Sequence, residues 1–248
     1  MTETTVRRRS TGRILGLILL YLGILLGAVY AAVAAWGDWE ALQFGTMVAF
    51  RSEDTLSTLR CPVLMTTGES APISVLVKNP LQREITRTVR VYISAGDILA
   101  KREFMERVRL GPGKSRRLSW EIFPQDRVFD RFVLVRVYLA RGFFLPSADA
   151  SCGVMVVNLP SWRGNVIVFS VLAISLLGMG SGVFLVRKGL HGASMRVREL
   201  ARNGTAMAAL VVLSIPVGLI GWLWAESIVL LLIFLLAIIT AATVLAFH

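Results

Sequence analysis

The chain has 248 residues, 55% apolar and only 17% charged, with 27 basic residues against 16 acidic ones and a net charge of +11. Soluble domains carry about 45–50% apolar and about 25% charged residues, so the balance points to a membrane protein. The basic residues form no stripe interleaved with aromatics, which argues against a nucleic-acid partner.

Residues 1–13 are polar and basic, and Ile14–Trp36 is an uncharged apolar run. About 20 helical residues cross a hydrocarbon core of about 30 Å, so residues 14–36 are expected to form a first transmembrane helix. A signal peptide is the alternative, because small residues follow the apolar run. Its apolar segment is usually only about 7–15 residues long, which favours an uncleaved anchor. Residues 37–55 fit neither a period of 3.6 nor one of 2, and read as an interfacial linker or an extra edge strand.

From Leu56 the pattern changes to strict alternation, the mark of half-buried strands. Seven strands are expected: Thr58–Thr66, one around Ile73, Val75 and Val77, one around Val89, Val91 and Ile93, Phe104–Leu110, one around Leu118, Trp120 and Ile122, one over Val133–Leu139, and Ser151–Leu159. Turn residues separate them, as at Asn79-Pro80 and Gly111-Pro112-Gly113. Seven short strands over about 100 residues predict an antiparallel β-sandwich. The phrases Ile73–Asn79 (ISVLVKN) and Val108–Leu118 (VRLGPGKSRRL) resemble bacterial immunoglobulin-like domains of the cell-adhesion-related type. The resemblance covers residues 56–160, under half of the chain. It implies a sandwich that binds or spaces other molecules, with no catalytic residues.

Three more uncharged apolar runs follow: residues 164–186, 205–224 and 227–247. The fold class expected is therefore membrane α-helical, with four transmembrane helices and an all-β immunoglobulin-like domain inserted between helices 1 and 2. Arg7, Arg8, Arg9 and Arg13 precede the first run, and Arg187, Lys188, Arg196, Arg198 and Arg202 lie in the 187–204 loop. Basic residues near short loops mark the cytoplasmic side. Both termini are then cytoplasmic in a bacterial inner membrane, and residues 37–163 are outside. The basic loop can form a short helix carrying Met195, Val197 and Leu200, suited to lie on anionic lipid. Trp36, Trp39, Trp162, Trp222 and Trp224 all fall at the outer interface as anchors, the position Trp favours.

Cys61 and Cys152 are the only cysteines. They fall in the first and last expected strands of an exported domain, where a disulfide is expected; the alternative is two buried free thiols. His191 and His248 stand apart from any carboxylate cluster, and no HExxH, GxSxG or GxxxxGK[ST] motif is present. No catalytic set, cofactor or metal site is implied. Four small-xxx-small pairs (Gly23/Gly27, Gly27/Ala31, Gly178/Gly182 and Ala237/Ala241) permit close helix approach, although Gly and Ala are common in membrane helices anyway. The stretch Arg141–Pro146 (RGFFLP) offers Phe143, Phe144 and Leu145 either as an exposed hairpin tip for a partner or the outer leaflet, or as a continued strand with its phenylalanines in the core.

The spans carry no Asp, Glu, Lys, Arg or His, which disfavours a self-contained ion or proton path. The expected function is a non-enzymatic assembly or accessory subunit, partnered by lipid and by other membrane or envelope proteins or an envelope polymer. The alternative is a subunit of a transport or export complex in which helices 2–4 help line a path.

Overall fold

The computed structural model describes residues 2–47, 52–97, 100–142, 144–189, 194–220 and 223–246. It contains four long helices and eight strands, and divides into a sheet unit, Val33–Val168, and a helical unit made of segments 1–32 and 169–248.

The sheet unit holds β1 (Asp54–Thr55), β2 (Leu64–Thr66), β3 (Ala71–Lys78), β4 (Ile85–Ser94), β5 (Lys101–Leu110), β6 (Ser115–Ile122), β7 (Phe132–Leu139) and β8 (Ala148–Val157). A six-stranded sheet runs β1-β8-β7-β4-β5, with β2 also on β8, and β3 and β6 pair as a second sheet. Alternation decides which side chains go inward. Val75 and Val77 of β3, Trp120 and Ile122 of β6, and Val91 and Val135 of the larger sheet join one apolar core. The β5–β6 turn closes with Lys114 N–H donating to the Gly111 carbonyl at 3.1 Å, and Gly113 takes φ +64°. That conformation is open to glycine without steric cost.

Three expectations for this unit need correction. The larger sheet is mixed and not antiparallel throughout, because β1 and β2 both run parallel to β8. The expected strand Thr58–Thr66 is reduced to Leu64–Thr66, with one isolated bridge from Arg60 to Ser74. Pro62 interrupts the run, since proline offers no N–H to a ladder. The end of the 37–55 segment supplies the extra edge strand, β1, and the segment is helix as far as Met47, since α1 spans Thr2–Met47 without a break. At 1.5 Å per residue its 46 residues extend roughly 70 Å, far more than a bilayer core needs.

The last turns of α1 belong to the sheet unit and have a structural purpose there. Ala41 and Phe44 pack with Tyr92, Val128, Phe132 and Leu134 on the sheet face turned away from the main core. Gly37 lies against Gly153 of β8: a Cβ on Gly37 would stand 2.9 Å from the Gly153 carbonyl oxygen. The Gly153 N–H donates to Asp38 Oδ1 at 3.2 Å. Both faces of β7 are therefore covered, and six of its eight residues in a row are buried.

Cys61 and Cys152 form a disulfide, with Cα atoms 6.5 Å apart. It ties the segment before β2 to β8.

The helical unit contains the rest of α1 with α2 (Gly164–Gly189), α3 (Met195–Ile220) and α4 (Leu223–Ala246). Among the described residues, four segments are long and apolar enough to cross a membrane: Gly12–Phe44, Gly164–Gly189, Met195–Gly218 and Trp224–Leu245. The chain is a multi-pass membrane protein by that measure. Two boundaries differ from expectation. α3 begins at Met195, so the short basic helix expected in the loop is the start of the third span and carries Arg196, Arg198 and Arg202; Arg, Glu and Leu are good helix formers. α4 begins at Leu223, so Glu226 lies inside it and is 1% exposed. The apolar runs place Glu226 in the short turn between the last two spans, and it lies instead in the first turn of α4.

Candidate interaction surfaces

The hairpin loop between β7 and β8 is built on Arg87. Its side chain is buried, and burial lowers the guanidinium pKa, opposed by the charge of Tyr138. Arg87 Nη2 donates to the Pro146 carbonyl at 3.0 Å, which fixes the loop's descending arm. Beyond it, Gly142 N–H donates to the Leu145 carbonyl at 3.0 Å, and Leu145 N–H returns the bond to Gly142 at 3.3 Å. The tip is thus a closed turn. Phe144 stands on it, 56% exposed, and the Arg83 guanidinium lies 3.4 Å from its ring centroid. β7 has already ended at Leu139, so Phe144 does not continue a strand into the core. Leu145 is half-buried, and Phe143 lies outside the described residues.

Arg83 is held by Asn79, the residue that closes the ISVLVKN phrase. The buried Asn79 Nδ2 donates to the carbonyls of Arg83, Leu110 and Gly111 at 2.7, 3.0 and 2.9 Å. Its Oδ1 accepts from Leu81 N–H at 2.9 Å. One side chain therefore ties the β3–β4 loop to the Pro-Gly turn, and carries Arg83 to Phe144. Arg141 Nη1 meets Glu53 Oε1 at 3.3 Å on the other side of the tip.

The sheet unit presents a second exposed aromatic that alternation did not reveal. Phe129 and Asp130 take φ +54° and +55°, and Phe129 is 57% exposed. Two successive positive φ values make the tight turn that suits right-twisted strands. The one sequence signal is Asp130 beside an aromatic just ahead of the apolar run of β7.

The two tips mark opposite ends of β7. Phe132, at its start, pairs with Met155, and Met155 lies one strand from Leu64. Gly164, the first residue of α2, packs on Leu64 and donates its N–H to Glu69 Oε1 at 2.6 Å. Trp36 of α1 also meets Phe132 edge-on at 5.2 Å. Within the sheet unit, the α1 segment and the start of α2 thus join at the Phe129 end, and Phe144 is at the other.

The five expected tryptophan anchors have different surroundings. Trp36 is 45% exposed; its Nε1 donates to Glu40 at 3.0 Å and its ring packs on Phe132. Trp39 is half-buried, Trp162 and Trp224 are exposed, and Trp222 lies outside the described residues.

In the helical unit, Gly23, Gly178 and Gly182 lie where α1 and α2 approach. A Cβ on Gly23 would stand 2.7 Å from the Met179 nitrogen, and one on Gly182 2.5 Å from the Leu20 nitrogen. Gly178 faces Gly23 across the same seam, and Ser175 Oγ donates to the Gly23 carbonyl at 2.8 Å. Gly27 faces Ser175 and Val211, and Ala31 is buried. Ala237 and Ala241 differ: both are exposed among the described residues.

Among the described residues, no three of His, Cys, Asp and Glu converge. His191 and His248 lie outside the described residues.

No known family model matches the chain, and no curated protein matches it. Solved structures resemble part of it. The CARDB domain of a Pyrococcus furiosus protein, solved in complex with di-metal ions, is 20% identical with a TM-score of 0.31. The match covers 40% of this chain and 84% of that one. A β-glucosidase from Listeria innocua is 19% identical with a TM-score of 0.28, covering 44% of this chain and 16% of the enzyme. A β-glucuronidase from Bacteroides uniformis is 12% identical with a TM-score of 0.27, covering 42% of this chain and 12% of the enzyme.

Proposed function

We propose that this chain is a non-enzymatic accessory subunit of a bacterial inner-membrane assembly, and that its immunoglobulin-like sheet unit is displayed outside the cytoplasm to contact a partner protein or an envelope polymer. The observation that carries this reading is Phe144. It is an exposed aromatic on a closed turn, stacked by an arginine that a buried asparagine holds in place. Aromatic residues and arginine dominate the energetics of protein contacts, and a rigid mount lowers the ordering cost of binding. Phe144 also lies at the opposite end of β7 from Phe132, where Trp36 packs. The positive-inside distribution supports cytoplasmic termini and an exported 37–163 segment.

The test is recovery of companions after mild-detergent purification of wild type and Phe144→Ser. The reading expects a defined companion with wild type and its loss from a folded variant. Equal recovery from both contradicts it.

Glu226 favours a second reading, a subunit of a transport or export complex. Its carboxylate is buried in the helical unit, and Oε1 lies 3.0 Å from where a Cβ on Gly218 would stand. Buried ionisable residues among membrane helices often mark ion or substrate paths. Loss of transport with Glu226→Gln, in an assembly that still forms, would favour this reading over a purely structural role.

A further inference from the structure

The cytoplasmic-side arginines are more than a charge label. Arg187 is in the last turn of α2, while Arg198 and Arg202 lie four residues apart in the first two turns of α3. All three line one cavity of about 430 Å³. Spacing explains the convergence: Val183, Val186 and Arg187 share a face of α2, and Arg198, Ala201 and Arg202 share a face of α3. Both walls of the cavity therefore combine basic with apolar side chains, and Thr205 completes its lining.

The arrangement is unfavourable for the protein alone. Like charges four residues apart on a helix repel, and cations near a helix N-terminus oppose its dipole. The first turn of α3 carries no acid to offset this. Among the described residues, no ion pair joins Arg187, Arg198 or Arg202 to a carboxylate. Arg196, by contrast, is taken up by the Val244 carbonyl at 2.6 Å.

We infer that Arg187, Arg198 and Arg202 form a binding site for the phosphate headgroup of an acidic phospholipid, with the half-buried Val183 beside the first carbons of its acyl chain. Guanidinium groups match phosphate oxygens in geometry and charge. Basic pockets between membrane helices are suited to such headgroups. Its position between two helices apolar enough to cross a membrane favours a lipid over a free anion. This site is independent of what the sheet unit contacts.

The test uses the full chain in detergent and in nanodiscs. Native mass spectrometry reads lipid retention, and a titration compares phosphatidylglycerol, phosphatidylcholine and inorganic phosphate. Wild type is expected to retain phosphatidylglycerol and to prefer it over phosphatidylcholine. Each arginine near anionic lipid contributes about fivefold in affinity, so Arg198→Gln with Arg202→Gln lowers it about 25-fold. Arg187→Gln, an exposed single change, lowers it about fivefold and serves if the double variant fails to fold. Arg116→Gln with Arg117→Gln, in exposed positions of β6, leaves it unchanged. Equal lipid retention by the folded Arg198/Arg202 variant and wild type overturns the site. Inorganic phosphate that binds as well as phosphatidylglycerol overturns the lipid assignment.

Discussion

Gly153→Ala is the most demanding perturbation of the sheet unit. A Cβ at this position would collide with the backbone oxygen of Gly37, so no side-chain rotation relieves it. Either the backbones shift or the end of α1 lifts from the sheet. Overpacking of this kind costs about 1–3 kcal/mol. If the helix lifts, Phe44 loses its burial, worth about 1.5–3 kcal/mol for such a side chain. We therefore expect about 2–4 kcal/mol of destabilisation, a fall of roughly 8–16 °C in Tm at about 4 °C per kcal/mol. Thermal melting of the purified full chain reads the shift, and tryptophan emission reports loosening of Trp36 from Phe132. Gly111→Ala is the control, because its Cβ would meet only the Lys114 side chain at 3.7 Å. If Gly153→Ala melts with the control, the α1 terminus is not packed on β8 as described.

Replacing both Cys61 and Cys152 with Ser should destabilise the sheet unit by about 2–4 kcal/mol, read as a lower denaturant midpoint that reductant no longer changes. Asn79→Ala removes the partner of three carbonyls and one amide. Unsatisfied buried groups cost about 1–3 kcal/mol, so Tm should fall and companion recovery should weaken with the loss of Arg83 positioning. Gly182→Val should separate α1 from α2, seen as a lower detergent-melting temperature, whereas Gly180→Ala, with nothing within 4 Å, should be neutral within about 0.5 kcal/mol.

Legibility in the sequence followed the strength of the periodic signal. Val75, Val77, Val91, Val135 and Trp120 are buried where alternation placed them, because a half-buried strand writes its face into every second residue. The apolar runs gave four long helices for the same kind of reason: a bilayer demands length and apolarity together. The end of α1 escaped notice because Gly37, Ala41 and Phe44, its sheet-facing stripe, are mixed with Trp39 and Leu42. Two glycine contacts that no hydropathy pattern records also fix its position. The parallel pairing of β1 and β2 was hidden because segments of two and three residues carry no period. At the candidate contact, RGFFLP identified the loop but not its mount. Arg83 and Asn79 lie far from RGFFLP in sequence, and only the register of β3 and the Pro-Gly turn brings them to it.

The most direct test of the central proposal is site-specific photo-crosslinking from position 144 in cells, with position 116 on exposed β6 as the reference. The proposal predicts one discrete crosslinked product from position 144 that is absent at 116 and lost when Arg83 is changed to Ala. Crosslinks to lipid alone, or the same products from both positions, would contradict a partner contact at this tip.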